Sequence, residues 1–350
     1  MAIVTKLEEL MKKRSYTLAR LASEVRITEA NLSRLKTGKC GAIRFSTLEA
    51  ICRVLNCQPG DILEYKERKK VIPLFLDYTG TTDLLLKGGA ENVKRFFDSI
   101  RDMQEKLKYE IQITMVTGSA FESARSKHKL LSELAQNYGL SNLFDGVIAE
   151  YCGFIIRGDK SEQLLTLDPR ILVRRSEIEE LIRPYSGQIN PDVTSMYNIV
   201  FDDISREDLS DVSEQIEKLI GCPEIEAVQY FDCYGRECDV KSRNLTKSEA
   251  VYMVMKKLEE KYDIPFVIIG GDSKEEDFCM YTRNKDRISQ MGFSTVFIAP
   301  SNIGEIVTSD RNVIVGDWEN SDGISDCIGK LTERANVRED GGIELWENIY

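Results

Sequence analysis

Residues 71–82, VIPLFLDYTGTT, decide how this chain is read: an apolar run stops at Asp77 and gives way to a polar turn holding Gly80. A strand buried on both faces of a parallel sheet is a near-continuous apolar run, and in doubly wound sheets ligands gather beyond the carboxyl ends of such strands. Asp77 falls at that end, a position that suits a carboxylate nucleophile. Taken alone, the segment is equally well explained as an ordinary strand end, because Asp and Gly are common there.

Three further segments shift that balance. Residues 111–119, IQITMVTGS, form a second apolar run ending in Thr117 and Gly118, followed by a helix-like stretch over 121–137. A hydroxyl at that point can hydrogen-bond a phosphoryl oxygen. Lys247, in NLTKSEAVYMVMKKLEE, opens an amphipathic helix. Its ammonium group can neutralise a phosphate and a carboxylate together, against the plainer alternative of a surface lysine. In PFVIIGGDSKEED a third apolar run breaks at Gly270 and Gly271 into Asp272, with Glu276 and Asp277 close behind. Carboxylates clustered on a strand-end loop suit a hard cation such as Mg2+. Each segment by itself is more often structural than catalytic, but their order and shared placement after apolar strands argue against coincidence.

That ordered set resembles the haloacid-dehalogenase (HAD) superfamily over residues 71–335, with the spacing GDxxxxD of its last motif met from Gly271 to Asp277. The resemblance implies a doubly wound, Rossmann-like α/β core with Asp77 as nucleophile and Thr117 and Lys247 as its catalytic partners. It also implies Mg2+ held by Asp77, Asp272, Asp277 and the backbone carbonyl of Thr79, with Gly80, Thr81 and Gly118 lining the substrate site. The segment FDGVIAEYCGFIIRG looks like the lead into a cap inserted after the second motif. Only 39 residues separate Asp77 from Thr117, whereas 129 separate Thr117 from Lys247, which leaves room for that cap. The expected core is 71–155 and 244–350, and the expected α/β cap is 156–243. Within the cap, SMYNIVFDD and IEAVQYFD read as strands around the helix SDVSEQIEKLI. Lys241 and Arg243, with Arg236, are the basic residues nearest its return to the core. They are candidates for an anionic substrate, against the bland reading of solvated surface charge. Asp317, at another strand end, receives no role.

One residue departs from the family pattern. Most HAD phosphatases carry a second Asp two positions after the nucleophile as general acid and base, and here that position is Thr79. A hydroxyl of very high pKa does not fill that role, which is typically worth about 100- to 10,000-fold. The stretch DYTGT, residues 77–81, is similar to the P-type ATPase form, in which a Thr accompanies a long-lived aspartyl phosphate. Slow turnover is expected, with Mg2+ binding retained.

The N-terminal segment differs in charge from the rest. Residues 1–70 hold 15 Lys plus Arg against 8 Asp plus Glu, and residues 71–350 hold 32 against 50, so a basic head precedes an acidic body. Such asymmetry points to a polyanion as the partner of the head. TLARLASEVRITEANLSRLKTGK contains two helical periods broken at Arg26 and Ile27, with Thr28 placed to cap the second and Gly38 just past its end. Leu18, Leu21, Ala22, Val25, Ile27, Leu32 and Leu35 would close a small core. The pattern resembles the Xre-type, phage-repressor-like helix-turn-helix family over about residues 3–65. It implies an all-α head, 1–66, joined by a linker, 67–70, and binding double-stranded DNA through the second helix of the motif. The implied contact residues are Thr28, Glu29, Asn31, Ser33, Arg34, Lys36, Lys39 and Arg44. Asn31 pairs well with adenine and Arg34 with guanine, while Lys39 and Arg44 suit phosphates. Glu29 repels phosphates unless it accepts from cytosine. The alternative is a helical bundle for protein docking.

No segment approaches the ~20 apolar residues of a membrane span, and the start lacks a signal-peptide core, so a cytoplasmic protein is expected. Nine cysteines show no CxxC pair, and His128 is the sole histidine, which removes histidine-based triads and metal sites. The expectation is a multidomain DNA-binding regulator, dimeric because palindromic operators match two-fold dimers, whose HAD-like body binds a phosphorylated small molecule with Mg2+. Two rivals stand beside it: a working Mg2+-dependent phosphohydrolase with an autoregulatory head, and a defence or interaction protein using both domains as scaffolds.

Overall fold

The computed structural model describes residues 2–38, 40–165, 169–185, 198–202, 205–221, 225–232, 235–304, 306 and 310–345. The chain divides into two compact units, Met1–Lys69 and Lys70–Tyr350.

Among its described residues the first unit holds five helices: α1 Leu7–Lys13, α2 Leu18–Val25, α3 Glu29–Lys36, α4 Phe45–Leu55 and α5 Pro59–Ile62. Local chemistry sets their ends. Thr17 and Thr28 each accept a hydrogen bond from the backbone N–H three residues on, at 3.2 Å, which caps α2 and α3. Arg26 closes α2 in the left-handed region at φ 59°, and Gly38 follows α3 at φ 73°. Leu7, Leu21, Leu32, Ile51 and Ile62 are fully buried between the helices. The head is helical, as expected, with one short strand pair added to it. Strand β1, Ala2–Thr5, pairs antiparallel with β2, Leu63–Lys66, placing Ile3 opposite Tyr65. Each strand is four residues long, too short to register as a periodicity, and each has a partner only across the whole helical bundle.

The second unit is built on an eight-stranded sheet. Its chain runs through β3 Val71–Asp77, α6 Leu84–Lys87, α7 Ala90–Leu107, β4 Glu110–Val116, α8 Phe121–Asn137, β5 Phe144–Ala149, β6 Phe154–Arg157 and β7 Lys160–Gln163. An inserted layer follows: α9 Pro169–Val173, α10 Arg175–Ile182, β8 Asn198–Asp202, α11 Arg206–Ile220, β9 Ile225–Asp232 and β10 Gly235–Ser242. The chain then returns through α12 Lys247–Leu258, β11 Phe266–Gly270, α13 Cys279–Gln290, β12 Ser294–Ala299, β13 Val313–Val315 and α14 Asn320–Arg334.

In the main sheet the strand order is β13-β12-β11-β3-β4-β5-β6-β7, with the strands from β13 to β5 parallel and the last two antiparallel. From β3 the chain proceeds to β4 and β5 on one side and later to β11 and β12 on the other, so the strand order reverses at β3 and a crevice opens at its carboxyl end. Alternation along the buried strands feeds two cores. Leu74, Leu76, Ile268 and Ile298 pack with α7, α8 and α14, while Phe75, Ile269 and Phe297 pack with α12 and α13.

The sheet continues beyond residue 155, where the cap was expected to begin. A two-residue loop, Gly158 and Asp159, turns β6 into β7, with Arg157 paired to Lys160 and Gly158 at φ 57°, as a tight hairpin requires. The inserted layer therefore starts after Gln163. It is a three-stranded antiparallel sheet, β8-β10-β9, whose Ile199, Ile225 and Val240 pack against Ile178, Ile182, Val212 and Ile216 of α10 and α11. The strand over 235–242 had no counterpart in the sequence reading, and residues 195–197 and 203 of the expected first cap strand lie outside the described residues.

Candidate active site and DNA interface

Four loops converge at the carboxyl end of β3. Asp77 ends that strand and is buried. Lys247, the first residue of α12, donates to Asp77 Oδ1 at 2.8 Å and to Asp277 Oδ1 at 3.1 Å, and its ammonium lies 2.6 Å from Glu276 Oε2. Its helix start is fixed by Thr246, whose hydroxyl accepts from Glu249 N. Carboxylate oxygens of Asp77, Asp272 and Asp277 all lie within 4.8 Å of one another. Asp277 is held in place by Ser273, whose N–H donates to its Oδ2 at 3.1 Å.

Like charges in a buried space disfavour ionisation. Burial, then Asp277, raises the Asp77 pKa well above the ordinary carboxylate value despite Lys247. Burial followed by Asp277 pushes Asp272 up to about 7. Burial likewise raises Asp277, against the opposing pull of Lys247. For Lys247, burial alone would lower the pKa, but Asp277, Asp77 and Glu276 outweigh it and hold the ammonium well above its usual value. Among the described residues, one ammonium thus stands within a cluster of four carboxyl groups. A set of oxygen donors short of positive charge is chemically suited to Mg2+, so Asp77, Asp272 and Asp277 fit that ion.

The turn after Asp77 is wound tightly. Thr81 and Thr82 both donate their hydroxyls to the Asp77 carbonyl, the latter at 3.0 Å. Gly80 stands at φ 74°, and a Cβ there would run into the Asp272 carboxylate, so only glycine lets the two loops close on each other. Thr81, expected to line the substrate site, is 1% exposed and its hydroxyl proton is committed to the backbone. Thr79 is half-buried in the same turn.

On the opposite flank, β4 pairs Val116 with Asp77, so Thr117 emerges next to the nucleophile candidate. Its hydroxyl donates to Ser119 Oγ at 2.9 Å and accepts from Ser119 N at 3.1 Å. Lys127, on α8, donates to the same Ser119 Oγ at 2.6 Å. Gly118 abuts the ring of Tyr151, 2.8 Å from where its Cβ would be. Lys241, nearly fully buried, lies 3.7 Å from the centre of that ring. Tyr151 and its neighbour Glu150 both hold positive φ, 61° and 50°, a costly backbone for non-glycine residues that brings Tyr151 N–H onto the Thr117 carbonyl at 3.0 Å. Arg243 is exposed. Asp317 is exposed and pairs with Lys330 at 3.0 Å, and His128 is buried with Nε2 against the Phe144 carbonyl at 3.1 Å. Ser119, Lys127 and Glu150 were not singled out from sequence; each is recognisable only through its contacts.

In the head, Glu29, Asn31 and Arg34 stand exposed on α3, with Ser33 and Lys36 partly covered. Thr28 is occupied as the cap of α3. Lys36 lies 3.6 Å from Glu8, so part of its charge is answered within the head. Arg44 is exposed directly before α4, beside Phe45, whose ring is 88% exposed and which sequence reading passed over. Lys39 lies outside the described residues.

Comparison with known proteins divides along the same line. The Cro/C1-type HTH DNA-binding domain model matches residues 6–68. An uncharacterized HTH-type transcriptional regulator of Bacillus subtilis (strain 168), YozG, is 48% identical over 83 residues, covering 24% of this chain and 99% of that protein. Through its head, the chain belongs to the Cro/C1-type helix-turn-helix family. The solved structures matched by the rest of the chain include HAD-superfamily phosphatases. The sucrose-phosphatase of Synechocystis sp. PCC6803, solved with sucrose and phosphate, has a TM-score of 0.46 at 12% identity, covering 75% of this chain and 98% of that one. A HAD-superfamily phosphatase of Bacteroides thetaiotaomicron, BT1666, has a TM-score of 0.46 at 14% identity, covering 75% and 95%. Among the described residues no helix is long and apolar enough to cross a membrane.

Proposed function

We propose that this chain is a cytoplasmic, dimeric transcriptional regulator whose body binds a phosphorylated small molecule at Asp77 with Mg2+ and hydrolyses it slowly. The observation that carries the reading is the Lys247 ammonium, shared between Asp77 at 2.8 Å and Asp277 at 3.1 Å within a buried carboxylate cluster. Such a group neutralises a nucleophilic carboxylate and an incoming phosphoryl oxygen together. Mg2+ supplies further positive charge for the phosphoryl oxygens when bound. Asp77 attacks phosphorus, the bond to the leaving oxygen breaks and the alcohol departs, and water then attacks the phosphorus of the aspartyl phosphate, breaking its bond to Asp77 and releasing phosphate; Thr117 and Lys247 hold the phosphoryl oxygens. The leaving oxygen needs a proton, and Thr79 stands where a carboxyl group would give it. Turnover is limited there, and residence of ligand or aspartyl phosphate is prolonged.

A ligand bound in the body shifts DNA affinity only if it favours one of the DNA-competent and DNA-incompetent states. Operator titrations with and without a phosphate mimic and Mg2+ test the coupling, and a change of about 5- to 150-fold is expected. Equal affinities for wild type and Asp77→Asn would remove the regulatory link. The completeness of the acidic cluster favours the rival phosphohydrolase in one respect, so turnover must also be measured, with sugar phosphates and nucleotides. Thr79→Asp is expected to raise that turnover at least ~10-fold. A fast wild type unaffected by the substitution would favour the rival.

A further inference from the structure

We infer that Ser119 and Lys127 form a second, cation-backed contact for the phosphoryl group, on the flank of the cleft opposite Lys247. The inference rests on the reading of Asp77 as a phosphoryl site and adds residues to it. Lys127 projects from α8 and joins the two loops that matter. Its ammonium donates to Ser119 Oγ at 2.6 Å and lies 4.3 Å from the ring centre of Tyr78, the residue after Asp77. Ser119 is tied in turn to Thr117, whose hydroxyl donates to Ser119 Oγ at 2.9 Å.

Hydrogen-bond accounting gives this arrangement a direction. A serine hydroxyl offers one donor and two acceptor sites. Lys127 and Thr117 fill both acceptor sites of Ser119, and among the described residues nothing receives its proton. The hydroxyl is thereby set as a donor, polarised by the lysine behind it, two residues beyond Thr117. An anionic oxygen is the partner such a donor selects. Charge accounting agrees. Four carboxyl groups gather here, Asp77, Asp272, Asp277 and Glu276, and among the described residues the ammonium paired within the set is that of Lys247, which meets Asp77, Glu276 and Asp277. A divalent cation leaves that set short of neutrality, and a phosphoryl dianion deepens the deficit, so a cation on the far flank favours anion entry. Lys127 is bonded to Ser119 Oγ, beside Thr117, and its effect should fall on the anion more than on the metal.

The test uses the full-length chain, inorganic phosphate and Mg2+, with calorimetric titration of each. Lys127→Met is expected to weaken phosphate binding by about tenfold or more, and Lys127→Arg to recover it to within about threefold, while Mg2+ affinity stays within about twofold of wild type. Ser119→Ala should weaken phosphate similarly. A merely structural tether between α8 and the loop would leave phosphate affinity unmoved in folded variants, and that result would overturn the inference. If Lys127→Met also loses Mg2+ through misfolding, Ser119→Ala decides: phosphate affinity equal to wild type overturns it, and a selective loss supports it. Failure of the wild type itself to bind phosphate with Mg2+ would overturn the phosphoryl-site reading and this inference together, whereas wild-type binding with unaffected variants removes only the latter.

Discussion

The DNA-facing side of the head and the acidic site of the body are assembled in opposite ways. The head's candidates fall within residues 28–44, on one helix and the start of the next, and most of them are exposed. The body's site joins Asp77 to Lys247 across 170 positions and is buried, with Lys247 shared among three carboxylates. Exposed contacts on a capped helix can be removed singly, with the loss confined to the partner. Buried charges that satisfy one another cannot: removing one leaves the others unpaired in a poorly solvated space.

That contrast is broken most directly at Lys247. Lys247→Met should destabilise the body by roughly 3–5 kcal/mol, because its partners are left as uncompensated buried charge or must take up protons. Denaturant titration of the full chain measures this, and adding Mg2+ should recover part of the loss. A variant as stable as wild type would mean that the cluster is already protonated and that Lys247 carries little.

The head should answer differently. Arg34→Ala is expected to leave stability nearly unchanged and to cost about 1–3 kcal/mol of discrimination at one base pair. Binding to a set of single-substitution operators reads this out. Uniform weakening across every sequence would instead assign Arg34 to a phosphate.

The two regions also differed in how far sequence could describe them. Helices α2 and α3 announced themselves through Thr28, Gly38 and a period of apolar residues, because caps and amphipathic faces are local signals. The meeting of Asp77, Lys247, Asp272 and Asp277 was legible for a related reason: each stands where an apolar strand or a capped helix changes character. What escaped was pairing without a local signature. Strands β1 and β2 are four residues each and find each other across the head. The β6–β7 hairpin carried its Gly158 turn in plain view, yet its edge strand, Lys160–Gln163, is fully exposed and polar, so no hydrophobic pattern marked it as part of the sheet. Lys127 escaped because a lysine on a helix reads as solvated surface until its reach to Ser119 is seen.

The smallest expected effect sharpens the comparison through pH. Asp272 is raised from 3.8 to about 7 by burial and Asp277, and Asp77 and Asp277 move in the same direction. A carboxylate whose folded pKa lies above its unfolded value contributes stability that is fully present below the unfolded pKa, near 4, and lost as pH rises through about 7. The metal-free body should therefore lose stability between pH 5 and pH 8, the reverse of ordinary acid denaturation. Mg2+ needs those carboxylates ionised, so its affinity should rise over the same window, by about tenfold between pH 6 and pH 8 if one proton is displaced, or about 1.4 kcal/mol. Thermal melts at the two pH values, with and without Mg2+, separate these outcomes: the ion should raise the melting temperature clearly at pH 8 and little at pH 5.5. Asp272→Asn should flatten the metal-free pH profile and weaken Mg2+ at both. Operator affinity at low salt, measured beside the melts, supplies the control from the other region. DNA binding by the head should stay level where the body's metal affinity climbs. A head that followed the body through this window would mean that protonation of the acidic cluster reaches the DNA-reading helix, and the comparison would turn from two independent regions into one coupled device.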